Sequence, residues 1–207
     1  MNKQLLLLAI SAALGVSSVQ AADTGFYVGG SLGQSKINDF SGSDIDADLA
    51  TNYSIISTTS TDDTDTGWKV FAGYQFMKYL AVEGAYVGSG KFKANSIVTS
   101  PSAGIVDTEI KTDAWTISAL GILPLGDSFS LFGRVGVNFW SADISATGSG
   151  GGGTAAYSES DDGTDWVYGV GAAYKFTDNF SVRGEWERYD FGDGDADLLS
   201  AGVSWSF

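Results

Sequence analysis

The chain has 207 residues, 25 of them acidic and 11 basic, for a formal net charge of −14, and it contains neither cysteine nor histidine. Thiol chemistry, imidazole catalysis and histidine-ligated metal sites are therefore excluded, and no nucleic acid is expected to bind so acidic a protein. With 28 glycines, 13% aromatics and only Pro101 and Pro124, the composition suits many strands rather than helices.

The N-terminus reads as an export signal. Met1-Asn2-Lys3 carries one positive charge, Leu5 to Val16 form an apolar run, and Val19-Gln20-Ala21 is a small-residue cleavage pattern. The run is too short for a membrane-spanning helix, which needs roughly 20 residues. The expected division is a cleaved signal peptide at 1–21 and a single domain at 22–207. Losing Lys3 leaves 10 basic residues against 25 acidic ones, a net charge of −15. No later stretch is long and apolar enough to be a transmembrane helix.

Period two dominates the rest. Phe26, Val28, Gly30 and Leu32 alternate with Tyr27, Gly29, Ser31 and Gly33 in a first strand. Trp68, Val70, Ala72, Tyr74 and Phe76 share one face of the second, and a tight turn at Met77-Lys78 leads to Leu80, Val82, Gly84 and Tyr86 in the third. A fourth strand carries Trp115, Ile117, Ala119, Gly121 and Leu123; past Pro124 to Ser128 a fifth carries Phe129, Leu131, Gly133, Val135, Val137 and Phe139. Tyr168 to Phe176, Phe180 to Trp186 and Leu199 to Phe207 complete the set. The predicted fold is all-β, an eight-stranded antiparallel up-and-down transmembrane β-barrel.

Three connections are short turns, and four are long and rich in Ser, Thr, Gly and Asp: about 36–66, 88–113, 141–165 and 190–197. Short turns on one side and long polar loops on the other are the pattern of outer-membrane barrels, with the long loops outside the cell. Localisation in the outer membrane follows, among lipid and lipopolysaccharide. Tyr27, Trp68, Tyr79, Phe129, Tyr168, Phe180 and Trp205 are expected in aromatic girdles.

Gly25 to Gly33, Phe71-Ala-Gly-Tyr-Gln75 with Tyr79 and Glu83, Pro124 with Asp127, Arg134-Val-Gly136, Trp140-Ser-Ala-Asp143 and Ser181-Val-Arg-Gly-Glu185 follow one another along the strands. In order and spacing they resemble the transmembrane domain of the OmpA family. The resemblance implies a monomeric barrel with a structural role in the envelope. It also leads to an inward lysine in the fourth strand, where this sequence has Leu120, and to a peptidoglycan-binding domain after the barrel, where this chain stops at Phe207; no tether to the cell wall is expected. The last strand looks like the C-terminal signal read by the outer-membrane assembly machinery, carried by Gly202, Trp205 and Phe207.

Parity places Lys69, Glu83, Arg134, Lys175, Arg183, Glu185 and Glu187 on the inward face. An eight-stranded barrel is just wide enough for side chains to fill it, and buried charges must pair. Lys69, Glu83, Arg134, Arg183, Glu185 and Glu187 are thus expected to form an interior charge network that plugs the lumen and holds register.

The loops concentrate acid, at Asp39, Asp44, Asp46 and Asp48, at Asp62, Asp63 and Asp65, at Glu159, Asp161, Asp162 and Asp165, and at Asp190, Asp193, Asp195 and Asp197. None has the spacing of a calcium loop, so a solvated acidic surface is expected, with no metal site and no cofactor. No base is positioned for catalysis, and no enzyme is expected. The expected function is a structural, surface-exposed barrel supporting envelope integrity, whose loops meet host, phage or surface ligands; the alternative is a narrow porin-like channel.

Overall fold

The computed structural model describes residues 24–38, 41–100, 102–150, 153–192 and 194–207. The expected export signal, Asp39, Pro101 and Asp193 lie outside the described residues. The elements in chain order are β1 (Gly25–Ile37), α1 (Gly42–Tyr53), β2 (Ile56–Asp62), β3 (Thr64–Met77), β4 (Leu80–Ser100), β5 (Gly104–Pro124), β6 (Phe129–Gly150), β7 (Gly153–Lys175), β8 (Phe180–Phe191) and β9 (Gly194–Ser206).

Eight strands form a ring, β1-β3-β4-β5-β6-β7-β8-β9, and every neighbouring pair is antiparallel. The ring closes where β9 returns to β1, with Tyr27 opposite Ser206 at one end and Ile37 opposite Ala196 at the other. Closure removes the sheet edges that an open sheet would leave unpaired in lipid.

The apolar half of the alternation faces outward. Val82, Ile117, Val135, Val170 and Val203 are all exposed on the outer wall, which is stable only against hydrocarbon. Along β6 the stretch from Phe129 to Phe139 runs about 33 Å, and a tilt of roughly 40° converts that to a band about 25 Å tall, the height of a barrel's lipid belt. Edge-to-face contacts join the outward aromatics, as between Trp68 and Tyr86 at 5.5 Å, and Tyr86 lies 4.7 Å from Trp115. Tyr27 is the exception to the expected girdles. It stands on the polar face of β1 and points into the lumen, where its hydroxyl donates to Glu83 Oε2 at 3.0 Å.

The short turns are stapled locally. The amides of Phe176 and Thr177 donate to the Phe180 carbonyl at 3.0 and 3.2 Å, and the Phe180 amide donates back to Thr177 Oγ1 at 3.0 Å.

The long connections are the main correction to the sequence reading. Residues 88–113 and 141–165 are not loops: β4 with β5 and β6 with β7 stay paired almost to their tips, Val98 opposite Gly104 and Gly150 opposite Gly153. Beyond the belt the outer face no longer meets lipid, so Ser, Thr and charged residues replace most of the apolar positions while the backbone ladder continues; Phe92 and Ala94 stay buried on the inner side of β4. A bulge adds to the disguise. Between Gly88 and Lys91 strand β4 gains a residue relative to β5, and Gly90 sits at φ +86°, a conformation glycine adopts without strain. Outward positions are even below the bulge (Val82, Tyr86) and odd above it (Lys91, Ile97).

The connection at 36–66 is also structured. Strand β2 pairs with the upper part of β4, Thr61 opposite Ala94, making a ninth strand outside the ring. Helix α1 covers its other edge: Asp46 accepts from the Thr59 amide at 2.9 Å, from Thr59 Oγ1 at 2.7 Å and from Ser57 Oγ at 2.6 Å. A Cβ on Gly42 would stand 2.1 Å from the Thr59 carbonyl oxygen, so only glycine permits this approach.

The Ser57 and Thr59 hydrogen bonds hold the Asp46 carboxyl below the usual carboxylate range. A lowered carboxyl adds stability above its unfolded pKa and loses it as pH falls through the folded one. Docking of α1 should therefore weaken in acid, below the ordinary carboxylate range. Asp46→Ala should loosen it at neutral pH, seen as faster amide exchange or proteolysis confined to α1 and β2.

Candidate functional site in the barrel lumen

Six charged side chains from four strands meet inside the barrel: Lys69 from β3, Glu83 from β4, Arg134 from β6, and Arg183, Glu185 and Glu187 from β8. All six are buried. Alternation aims each inward, and the register supplies room, because small residues stand across from them: Gly73 opposite Glu83, Gly169 between Arg134 and Glu187, Gly171 opposite Glu185, and Gly202 opposite Arg183.

Three cations and three carboxylates balance. Lys69 Nζ lies 3.0 Å from Glu185 Oε2 and 2.6 Å from Glu187 Oε2. Arg134 touches all three carboxylates, Glu83 at 2.5 Å, Glu185 at 3.1 Å and Glu187 at 2.6 Å. Arg183 reaches Glu83 through Nη1 at 2.8 Å and pairs through Nε with Glu185. Its guanidinium also lies 4.0 Å from the Phe71 ring centroid and 5.1 Å from that of Phe132, a cation–π sandwich in a desolvated setting.

Apolar side chains flank the network. Val87, Val167, Tyr189 and Leu198 lie toward the long hairpins, and Ala81, Leu120 and Phe132 toward the short turns. A cavity of about 500 Å³ opens on the short-turn side, lined by Tyr27, Ile122, Phe132 and Lys175, and reaches Arg183. Lys175, read from parity as an inward charge, lines this cavity and is exposed. Leu120 faces the lumen, buried beside Ala81 and Phe132, and Lys69 on β3 is the lysine of the network.

Two participants escaped the sequence reading. Tyr27 has the aromatic character of a girdle residue, but its own strand's alternation puts it on the face opposite Phe26 and Val28. Arg188, with Nε 2.7 Å from Asp197 and Nη1 3.1 Å from Asp195, ties the β8–β9 hairpin together, and Asn38 donates to Asp195 at 2.7 Å and to Asp197 at 3.1 Å. The residues of the last strand sit on the closing seam. Gly202 pairs with Ser31 and Arg183, Trp205 is exposed on the outer wall between Val28 and Phe180, and the Phe207 amide donates to the Phe26 carbonyl at 3.0 Å.

A closed eight-stranded ring with an apolar outer belt and a charged, side-chain-filled interior is the build of a bacterial outer-membrane barrel, and the outer membrane protein β-barrel domain model matches residues 5–207. The chain belongs to this family. Outer membrane protein A of Yersinia pseudotuberculosis serotype I (strain IP32953) is 30% identical over 217 residues, a match covering 100% of this chain and 56% of that protein. The chain thus spans about half the length of the curated relative it matches. Among solved structures, the outer membrane protein OprG from Pseudomonas aeruginosa superposes with a TM-score of 0.56 at 14% identity, covering 92% of this chain and 99% of that one. Neisserial surface protein A superposes at 0.50 with 19% identity, covering 88% and 97%. At these identities the likeness is one of fold. The protein is an outer-membrane β-barrel.

Proposed function

We propose that this protein is a structural, surface-exposed barrel of the outer membrane, with a lumen closed to steady ion flow and outward hairpins that form an acidic interaction surface. The observation that carries the reading is the balanced network of Lys69, Arg134 and Arg183 with Glu83, Glu185 and Glu187. Each side chain is held by at least two partners, so a passing ion would have to displace buried pairs whose desolvation is already compensated. Under the same reading residues 1–21 direct export, 22–207 form the barrel, and the assembly machinery reads Gly202, Trp205 and Phe207 on the last strand.

A narrow channel is the second reading, favoured by the cavity that reaches Arg183 from the short-turn side. Planar-bilayer recording separates the two. Purified protein should give no steady conductance steps, and reproducible steps of constant size would overturn the closed lumen in favour of transport.

A further inference from the structure

The upper sheet has two edges, and they are finished differently. One is β2, whose backbone is covered by α1 through Asp46 and Gly42. The other is β7. Its pairing with β6 runs from Gly153 to Tyr174, but its pairing with β8 ends at Val167 opposite Tyr189, because β8 and β9 turn back early, with Phe191 already opposite Gly194. The two hairpins differ in height, so β7 stands alone above that point. Asp165 accepts from the Gly192 amide at 3.0 Å; among the described residues no strand pairs with the outer side of Gly153 to Thr164.

This stretch is about 36 Å of extended backbone, and it is exposed from Gly153 to Asp162. The Lys175 amide bonds to Ser128 on the β6 side, and β7 keeps register with β6 without a bulge. The alternation therefore directs the N–H and C=O of every second residue from Thr154 to Thr164 away from β6 and into open water, except that the Asp162 amide donates to Asp161 Oδ1 at 2.9 Å. The stretch has no proline and no basic residue, and it bears Glu159, Asp161 and Asp162. A bare edge of this length is a template for another strand. Its charge selects the strand: a second copy would bring the same carboxylates against these, which like-charge pairing disfavours, whereas lysine or arginine at alternate positions would meet them.

We propose that the free edge of β7, from Thr154 to Thr164, binds an extended cationic polypeptide segment by β-augmentation. The backbone supplies the hydrogen bonds, and Glu159, Asp161 and Asp162 set the preference for basic side chains. The inference rests on the reading that these hairpins form an outward interaction surface, and it names the chemical class of partner.

The test uses the folded protein in lipid nanodiscs and a labelled peptide of alternating lysine and valine, followed by fluorescence anisotropy, with a glutamate–valine peptide as control. The lysine peptide should bind and the glutamate peptide should not. Ser158→Pro removes an amide that faces open water and leaves the β6 ladder intact, so it should weaken binding by at least about tenfold, while Ser158→Ala should not. Glu159→Gln with Asp161→Asn and Asp162→Asn should weaken binding and flatten its salt dependence. This charge variant carries the test if the proline variant does not fold, as judged by gel mobility before and after boiling.

Unchanged binding to folded Ser158→Pro would overturn edge pairing in favour of diffuse attraction. Absence of lysine-peptide binding would overturn the site itself. Dimers that dissociate in Ser158→Pro would make a second copy the occupant. A protein that conducts steadily yet binds the peptide loses the closed lumen only, and a silent one that ignores the peptide loses the edge site only.

Discussion

Arg134→Ala should lower the free energy of unfolding by about 3–5 kcal/mol, the cost of leaving a buried ion group without its partner. Arg134 is the member of the network that meets all three carboxylates. Without it Lys69 and Arg183 face Glu83, Glu185 and Glu187 with one net negative charge buried in a lumen too narrow to hydrate it. The measurement is equilibrium urea unfolding in lipid vesicles, read by tryptophan fluorescence. Pairing Arg134→Ala with Glu187→Gln should cost less than the sum of the two single changes, because the two residues touch at 2.6 Å. An unchanged midpoint in Arg134→Ala would mean that the lumen admits enough water to replace the guanidinium.

The second large effect lies on the other side of the wall. Val135 projects from the middle of the β6 belt and is exposed, with Ala119 and Tyr168 beside it. Val135→Arg should cost about 2–4 kcal/mol in a bilayer, since a guanidinium near the midplane of the hydrocarbon must be solvated by distorting lipid. Ser145→Arg, on the same face of the same strand but above the belt, should change stability by less than about 0.5 kcal/mol. The contrast separates position along the strand from any general intolerance of arginine. Equal losses at the two sites would contradict a lipid belt that ends near Phe139.

The sequence displayed the ring and its interior because both depend on strict alternation within the belt. Val82 to Tyr86, Trp115 to Leu123 and Phe129 to Phe139 must present apolar side chains to lipid at every second position, and the opposite parity then isolates Lys69, Glu83, Arg134, Arg183, Glu185 and Glu187. Counted from the short turns, Glu83, Arg134, Arg183 and Glu185 stand at a similar depth, and the structure brings these four together with Lys69 and Glu187.

What was not legible lies where that constraint lapses. Above the belt no face of β4 to β7 meets lipid, so paired strands read as polar loops, and the extra residue at Ser89-Gly90 reverses parity within β4. Helix α1 offers only Ile45 and Leu49 at helical spacing amid Asp and Ser; its docking depends on Asp46 and on the small Gly42, contacts that no periodicity announces. The bare edge of β7 depends on the unequal heights of two hairpins, which appear only once the register of all the strands is known.

One measurement tests the whole arrangement most directly: the accessibility of a nitroxide moved residue by residue along β6, from Phe129 to Gly150. The chain has no native cysteine, so each label reports one position. Between Leu131 and Phe139 oxygen dissolved in lipid should reach odd positions and miss even ones, while a water-soluble nickel chelate reaches neither. From Ser141 outward the chelate should reach the label and the oxygen alternation should vanish. Chelate access at Arg134 or Asn138 comparable to that at Ser145 would contradict a closed lumen, and chelate access at Val135 would contradict the barrel's place in the membrane.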